Sequence, residues 1–209
     1  MSSSGFFVHI VDDDKSVCES LGVLLRSMNY QVTLYGSAAE FLDAALPDAP
    51  SCLVLDVRLR RTNGLELQEH LTRAEIRLPV ILMTGYGDIP MSVKAMKAGA
   101  VDFLTKPIRN QDLLDAVAAA IRMEQERRRE VARIAELQDR YEMLTPRERQ
   151  VVTLVASGLM NKQIANELSI SELTVKMHRS SAMRKLQVRS VASLARIAQL
   201  LVAKLCEPI

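Results

Sequence analysis

Five short apolar runs alternate with helix-like segments across the N-terminal part of the chain, and this alternation restricts the fold more than any other feature. The segments between the runs carry apolar residues at helical spacing, as in Ser16–Met28. Continuous apolar runs are typical of strands buried on both faces, and alternating strands and helices favour a parallel sheet. We therefore predict an α/β doubly wound, five-stranded parallel sheet. Its strands would lie near 6–11, 32–35, 52–55, 80–83 and 101–104.

A long helix is predicted to leave this sheet, because no Gly or Pro occurs from Asp112 to Tyr141. Within it, Val131, Ile134, Gln138 and Tyr141 follow a 3-4-3 spacing. That spacing fits a short coiled coil, but four positions are few, and a solvated connector helix with i,i+4 ion pairs is the favoured interpretation. Both interpretations remain open at this point.

The C-terminal segment is predicted to be an all-α, four-helix unit. Thr145-Pro146-Arg147-Glu148 is a capping-box sequence, Asn161 is expected to cap a second helix, and Ser169–Ser171 forms a short turn before Glu172–Leu186. Two helices joined by such a turn are the outline of a helix-turn-helix DNA reader. We predict three parts, comprising residues 1–124, a helical linker at 125–143 and a DNA-binding domain at 144–209.

Charge is distributed unevenly along the chain, although the total is only +2. Residues 1–124 hold 16 acidic and 12 basic side chains, residues 125–143 hold 5 of each, and residues 144–209 hold 4 acidic and 10 basic side chains. The net charges are therefore −4, 0 and +6. An acidic first part fits cation or phosphoryl chemistry, and a basic last part fits an anionic polymer.

Several classes of protein are disfavoured by the sequence. The chain contains no apolar run near the roughly 20 residues that span a membrane, and Phe6–Val11 lacks the flanks of a signal peptide. The cysteines Cys18, Cys52 and Cys206 are scattered, which fits free thiols in a reducing compartment and argues against a zinc site. We expect a cytoplasmic protein without a membrane partner.

Carboxylates follow two of the predicted strands. Asp12 and Asp13 come directly after the first, and Asp56 comes after the third. Because the carboxyl ends of parallel strands meet at one edge of a sheet, these groups are expected to converge, and such a cluster of oxygen ligands suits Mg²⁺. Thr84 and Lys106 follow the fourth and fifth strands, where a hydroxyl and an ammonium could bind the oxygens of a phosphoryl group.

These positions resemble a known family. Val11–Asp14, Leu55–Arg58, Met83–Gly85 and Asp102–Pro107 match, in order and spacing, the receiver domain of bacterial two-component response regulators. The segments at 144–151, 161–165 and 174–179 resemble the LuxR-type helix-turn-helix. Together they resemble the FixJ/NarL family, and the resemblance covers nearly the whole chain.

The resemblance implies that Asp56 accepts a phosphoryl group from a sensor histidine kinase. Asp12, Asp13, Asp56 and the backbone carbonyl of Arg58 would hold Mg²⁺. Thr84 would then bind the new phosphoryl oxygens, Phe103 would turn inward as a switch, and Lys106 would pair with the phosphate. In this family the fourth helix, fifth strand and fifth helix of the receiver then form a homodimer contact, promoter DNA is bound, and RNA polymerase is the expected further partner. Lys106-Pro107 is commonly a cis bond in the family.

The sequence departs from the family in the loop after Asp56, where Arg58, Arg60 and Arg61 make it more basic than usual. We expect these guanidinium groups to alter the kinetics of phosphorylation or dephosphorylation. Ile108 also replaces the Phe that often follows Lys-Pro, which is interpreted as a packing change.

In the predicted recognition helix, one stripe should pack inward and the other should reach DNA. Val175, His178, Ala182 and Leu186 form the inward stripe. On the accessible side, Lys176, Met177 and Ser180 occupy the positions that the family uses for base edges. The predicted phosphate contacts are Lys162, Thr174, Arg179 and Lys185.

The sequence therefore predicts a phosphorylation-activated transcription regulator whose receiver is not an enzyme beyond assisting its own phosphorylation and dephosphorylation. Two alternatives remain. One is a DNA-binding regulator with a vestigial receiver. The other is a Mg²⁺-dependent aspartyl-phosphate phosphohydrolase, which generally needs a second Asp two residues after the nucleophile, where this chain has Arg58, and a cap insertion that it lacks.

Overall fold

The computed structural model describes residues 5–60, 63–85, 93 and 95–205, with side chains described as far as residue 200. The chain divides into two compact units, 1–129 and 130–209, and the division falls inside a helix at Asn110–Glu142. Among the described residues, no helix is both long and apolar enough to cross a membrane.

The described residues of the first unit form five parallel strands in the order β2-β1-β3-β4-β5. This arrangement confirms the predicted doubly wound α/β sheet, because β2 is added on one side of β1 and β3, β4 and β5 are added on the other. Strands β3 and β4 are buried along their whole length, which explains the apolar runs Cys52–Leu55 and Val80–Met83 within them. The strands are β1 (Phe7–Val11), β2 (Gln31–Tyr35), β3 (Ser51–Asp56), β4 (Val80–Thr84) and β5 (Asp102–Thr105).

In the described part of this unit, α-helices begin at side-chain caps. The side chain of Asp14 caps α1 (Lys15–Ser27), and the side chain of Ser37 caps α2 (Ala38–Leu42). Asn63 caps α3 (Gly64–Arg73) by accepting a hydrogen bond from the N–H of Leu65. The apolar spacing of the sequence also predicts a helix at Met91–Lys97. Val93 and residues 95–97 are helical, whereas Met91, Ser92 and Lys94 lie outside the described residues.

The sheet is covered on both faces. On one face, Ile10, Val54 and Ile81 pack with Leu25 of α1 and Leu113 of the helix at Asn110–Glu142, labelled α4. On the other face, alternate residues of the same strands pack against α2 and α3. Because successive strand residues point to opposite faces, a single set of strands supplies both cores. The second core includes Leu53, Leu55, Leu82, Phe41, Leu65 and Leu71.

The helix α4 is continuous over 33 residues. In the first unit its buried Glu124 accepts hydrogen bonds from Arg127 and Arg128, and Arg128 also pairs with Asp48. Further along, ion pairs join Arg133 to Glu130 and Arg140 to Glu136, and Val131 is half exposed. These pairs have the spacing expected of a solvated connector helix. The coiled coil stays a hypothesis, and Leu137 rather than Gln138 is the buried residue near its third position.

As far as residue 205, where the description of the backbone ends, the second unit has four shorter helices. They are labelled α5 (Pro146–Ala156), α6 (Asn161–Leu168), α7 (Glu172–Lys185) and α8 (Val191–Leu205). The capping box of Thr145 and Glu148 is present, and Ser169–Ser171 is the turn between α6 and α7. The prediction for Asn161 was wrong, because it is the first residue of α6 and Met160 precedes it as the cap. Gln163 accepts a hydrogen bond from the Met160 N–H, so the helix begins one residue earlier than expected.

The core of the second unit explains the inward stripe of α7. Val175, Ala182 and Leu186 are buried there with Val151 and Ile164, and His178 is half-buried. In the first unit, Cys18 and Cys52 are buried free thiols, as expected. The third cysteine, Cys206, lies outside the described residues.

Candidate functional site

Three carboxylates meet at the carboxyl edge of the sheet. Asp12 and Asp13 follow β1, and Asp56 ends β3, which pairs with β1 in parallel register. One oxygen from each carboxylate lies within 4.8 Å of the others. Asp12 and Asp56 are buried, whereas Asp13 is partly accessible. An oxygen-only donor set that opens to solvent on one side fits a hard divalent ion such as Mg²⁺.

Lys106 extends from the end of β5 into this cluster. Its Nζ donates hydrogen bonds to Oδ2 of Asp12 at 2.6 Å and to Oδ2 of Asp56 at 2.9 Å. The peptide bond between Lys106 and Pro107 is cis, and the Lys106 N–H donates to the carbonyl of Thr84 at 2.7 Å. These contacts place the ammonium between two carboxylates that come from different strands.

The pKa values of Lys106 and Asp12 depend on both burial and ion pairing. Burial acts to lower the pKa of Lys106, but the hydrogen bonds to Asp12 and Asp56 and the negative charges of these carboxylates together outweigh burial and raise the pKa. For Asp12, burial is the larger effect and raises its pKa, although the hydrogen bond from Lys106 acts in the opposite direction. The ammonium is therefore charged at neutral pH.

Backbone groups hold the remaining carboxylate oxygens. Oδ1 of Asp12 accepts from the N–H of Asp14 at 2.9 Å, and Oδ1 of Asp56 accepts from the N–H of Arg58 at 3.1 Å. Each of these two carboxylates therefore uses one oxygen to fix its own loop and presents the other to Lys106. The site is preorganised by the turns that follow β1 and β3.

The loop after Asp56 folds back over the end of β3. Arg58 and Asn63 form an antiparallel bridge, and the N–H of Gly64 donates to the carbonyl of Val57 at 2.9 Å. From this loop, Nε of Arg60 reaches Oδ2 of Asp13 at 2.7 Å. The sequence indicated that this loop is basic, but it did not predict the ion pair between Arg60 and Asp13. Arg61 lies outside the described residues.

The two predicted switch residues lie on neighbouring strands. Thr84 is fully buried at the end of β4 and pairs in register with Thr105 of β5, next to Lys106. Phe103 is partly buried and packs against the core that α2 and α3 cover. The structure thus brings together Asp12, Asp13, Asp56 and Lys106, with Thr84 on the strand adjacent to Lys106.

In the second unit, α7 presents an accessible polar surface. Lys162 of α6 and Lys176, Met177 and Ser180 of α7 are exposed, and the Met177 side chain has 65% of its surface accessible. A basic helix with exposed side chains after a tight turn has the form of a major-groove reader. These four residues have the accessibility that a DNA contact needs.

The other predicted phosphate contacts have partners within the protein. The Thr174 hydroxyl bonds to that of Ser171, and Nη1 of Arg179 donates to Oδ1 of Asn161 at 2.9 Å. Nζ of Lys185 lies 2.7 Å from Oε2 of Glu148. Burial acts to raise the pKa of Glu148, but the hydrogen bonds from Lys185 and Ser181 and from the Thr145 N–H lower it to about 2. The sequence did not indicate these intramolecular contacts.

A five-stranded parallel sheet with a carboxylate cluster at its carboxyl edge is typical of domains that receive a phosphoryl group. The helical unit has the arrangement of a helix-turn-helix domain. In agreement, residues 8–118 match the family described as the response regulator receiver domain. Residues 142–198 match the family of bacterial regulatory proteins of the luxR type. The chain belongs to the response regulators of two-component systems, and it is a transcriptional regulator with a receiver and a LuxR-type DNA-binding domain, similar to FixJ.

Full-length relatives support this assignment. The chain is 50% identical to nodulation protein W of Bradyrhizobium diazoefficiens over 200 residues, which cover 96% of this chain and 88% of that protein. It is 43% identical to the transcriptional regulatory protein FixJ of Azorhizobium caulinodans, over 92% of each chain. The solved structure of the response regulator StyR has a TM-score of 0.79 and 46% identity, covering 93% of this chain and 98% of that one. The similarity therefore spans both domains.

Proposed function

We propose that Asp56 is the phosphoacceptor of this response regulator and that a sensor histidine kinase is the donor. The observation that carries the proposal is the contact of Lys106 with both Asp12 and Asp56, beside the carboxylate of Asp13. In the transfer, the phosphorus–nitrogen bond of the kinase phosphohistidine breaks as an oxygen of Asp56 bonds to phosphorus. The imidazole retains the electron pair of the broken bond and takes up a proton.

Mg²⁺ is the proposed cofactor, and Asp12, Asp13, Asp56 and the backbone carbonyl of Arg58 are its proposed ligands. When bound, the ion supplies positive charge that offsets the charge on the transferred phosphoryl group. Lys106 orients the Asp56 carboxylate before the transfer and pairs with a phosphoryl oxygen after it. The hydrogen bond from Arg58 N–H keeps the other oxygen of Asp56 in place.

Phosphorylation is proposed to act through Thr84 and Phe103. A phosphoryl group adds charge and acceptor oxygens, so the Thr84 hydroxyl donates to one of them and Phe103 turns inward. This movement changes the face formed by β5, α4 and the helical residues before β5. That face is the proposed homodimer contact, and dimerisation brings two DNA-binding domains to promoter DNA, where RNA polymerase is the further partner.

The proposed domain limits are 1–124 for the receiver, 125–143 for the linker and 144–209 for the DNA-binding domain, and the protein acts in the cytoplasm. The receiver assists only its own phosphorylation and dephosphorylation.

Lys176, Met177 and Ser180 are the proposed base contacts. Lys162, Thr174, Arg179 and Lys185 are the proposed phosphate contacts, the last three after they exchange the intramolecular partners described above.

Metal removal tests the phosphorylation half of the proposal. Incubation with acetyl phosphate and Mg²⁺ is expected to add a single phosphoryl group, because acetate is a leaving group that needs no kinase. A chelator of divalent ions is expected to reduce this adduct to background, and Mg²⁺ in excess of the chelator restores it. Intact-protein mass spectrometry measures the adduct. Equal yield with and without the chelator would contradict the proposed role of the metal.

Substitution of Lys176 tests the DNA-binding half. Lys176→Ala is expected to weaken binding to a duplex selected by the phosphorylated protein from a random library by about tenfold, because a good base contact is worth about that factor. Binding to a scrambled duplex should change much less. Arg196→Ala is the control, since it removes one exposed cation from α8 of the same domain. Fluorescence anisotropy measures both, and equal losses for the two variants would refute base reading by Lys176.

A further inference from the structure

The carboxylates of Asp12, Asp13 and Asp56 form ion pairs with two different basic side chains, Lys106 and Arg60. Lys106 donates its hydrogen bonds to the carboxylates of Asp12 and Asp56. The carboxylate of Asp13 is paired instead with Arg60, with Nε and Oδ2 separated by 2.7 Å. Each of the three carboxylates therefore has a cationic side chain beside it.

The two cations are held very differently. The Lys106 side chain is 23% exposed and bonds two carboxylates, of which Asp12 is almost fully buried. The Arg60 side chain is 84% exposed and reaches Asp13, itself 22% exposed, from the solvent side. An exposed ion pair is weak and is screened by salt. Arg60 can therefore leave its carboxylate with little disturbance, whereas Lys106 cannot.

The loop that carries Arg60 has fixed ends. The Arg58–Asn63 bridge closes it, and Asn63 also caps α3 through the N–H of Leu65. The backbone near Arg60 is thus held close to the acidic edge, which keeps the local concentration of the guanidinium high even when its ion pair opens. A loop of this kind returns the guanidinium to Asp13 whenever no other cation is bound there.

We propose that Arg60 is an internal competitor of the divalent cation at Asp13. The guanidinium must leave Oδ2 of Asp13 before that oxygen can bind Mg²⁺, so Arg60 lowers the affinity of the receiver for the ion. This inference rests on the proposed function, in which Asp13 is a ligand of Mg²⁺. It makes the readiness of the receiver for phosphorylation depend on the concentrations of Mg²⁺ and salt.

Titration of the full-length protein with Mg²⁺ tests the proposal without any phosphorylation. The chain contains no Trp, so the titration is followed by the amide NMR signals of the loops after β1 and β3. Arg60→Gln is expected to lower the dissociation constant for Mg²⁺ by about fivefold in low salt, since one opposing charge is removed from an exposed site. The difference should shrink in high salt because both charges are then screened.

Two variants control for other effects. Arg73→Gln removes an exposed arginine that pairs with Glu69 on α3, and it should leave Mg²⁺ affinity unchanged. Arg60→Lys keeps the charge and should bind Mg²⁺ with nearly wild-type affinity. The thermal unfolding of each variant without metal should match that of wild type, because the side chains replaced are exposed.

The possible results separate the two proposals. Equal Mg²⁺ affinity of wild type and Arg60→Gln in low salt would overturn competition by Arg60 while leaving the metal site intact. A similar gain in Arg73→Gln would also overturn it, because the effect would then reflect net charge alone. If neither wild type nor Arg60→Gln binds Mg²⁺, the proposed metal site fails and the inference fails with it.

Discussion

Asp56→Asn is expected to abolish phosphorylation by acetyl phosphate. The amide keeps the size of the side chain, and its carbonyl oxygen can still accept the hydrogen bond that Arg58 N–H now donates to Oδ1. It lacks, however, the anionic oxygen that bonds to phosphorus, and it removes one of the two carboxylates that hold Lys106. Dimerisation and the gain in DNA affinity that follow phosphorylation should be lost together.

The measurement combines intact-protein mass with sedimentation and DNA titration on the same samples. Asp43→Asn serves as the control, since it removes an exposed carboxylate from the same domain at the end of α2, away from the cluster. It should be phosphorylated as wild type. A phosphoryl adduct of unchanged yield in Asp56→Asn would refute Asp56 as the acceptor, and stimulation of DNA binding without an adduct would favour a phosphorylation-independent regulator.

Gly64→Ala is expected to destabilise the receiver by about 3 kcal/mol, which is near the upper end for overpacking. Gly64 is the first residue of α3, and a Cβ there would overlap the carbonyl oxygen of Asp56 and lie 2.9 Å from Cα of Val57. Both neighbours are backbone atoms, so neither can move as a flexible side chain would. The start of α3 or the end of β3 must therefore shift, and a shift of β3 displaces the Asp56 carboxylate.

Urea unfolding followed by circular dichroism measures this loss, and the yield of phosphoryl adduct should fall in the same variant. Gly36→Ala is the matched control. Among the described residues, a Cβ at Gly36 would meet the carboxylate oxygens of Glu40 at 3.6 Å and 3.8 Å, which is ordinary contact. Wild-type stability and wild-type phosphorylation of Gly64→Ala would show that the end of β3 tolerates displacement.

The sequence predicted those parts of the site that depend on strand order. Asp12, Asp13, Asp56 and Lys106 each follow or end a strand, and parallel strands bring such residues to one edge whatever the loops do. The contact between Arg60 and Asp13 depends instead on the path of a loop, which apolar periodicity does not specify. The sequence therefore indicated extra positive charge near the site, but it did not identify Asp13 as the partner of Arg60.

The same limit applies to the helical unit. The capping box at Thr145 was predicted because its residues are adjacent in sequence and interact through a fixed local geometry. Lys185 meets Glu148 through packing of helices that are distant along the chain, so its contact could not be derived from local spacing. The error at Asn161 concerns only the position of a helix start. The helix begins one residue earlier than predicted because the Gln163 side chain accepts a hydrogen bond from the Met160 N–H.

The ion pair between Lys185 and Glu148 also bears on how this domain would attract DNA. The pair is internally neutral, so the ammonium contributes less to the long-range electrostatic potential than the formal charge of the segment suggests. A phosphate oxygen would have to displace a carboxylate to reach it, and fewer condensed counterions would be released in exchange. The field that guides the domain to the DNA backbone therefore originates mainly from exposed cations such as Lys162 and Lys176.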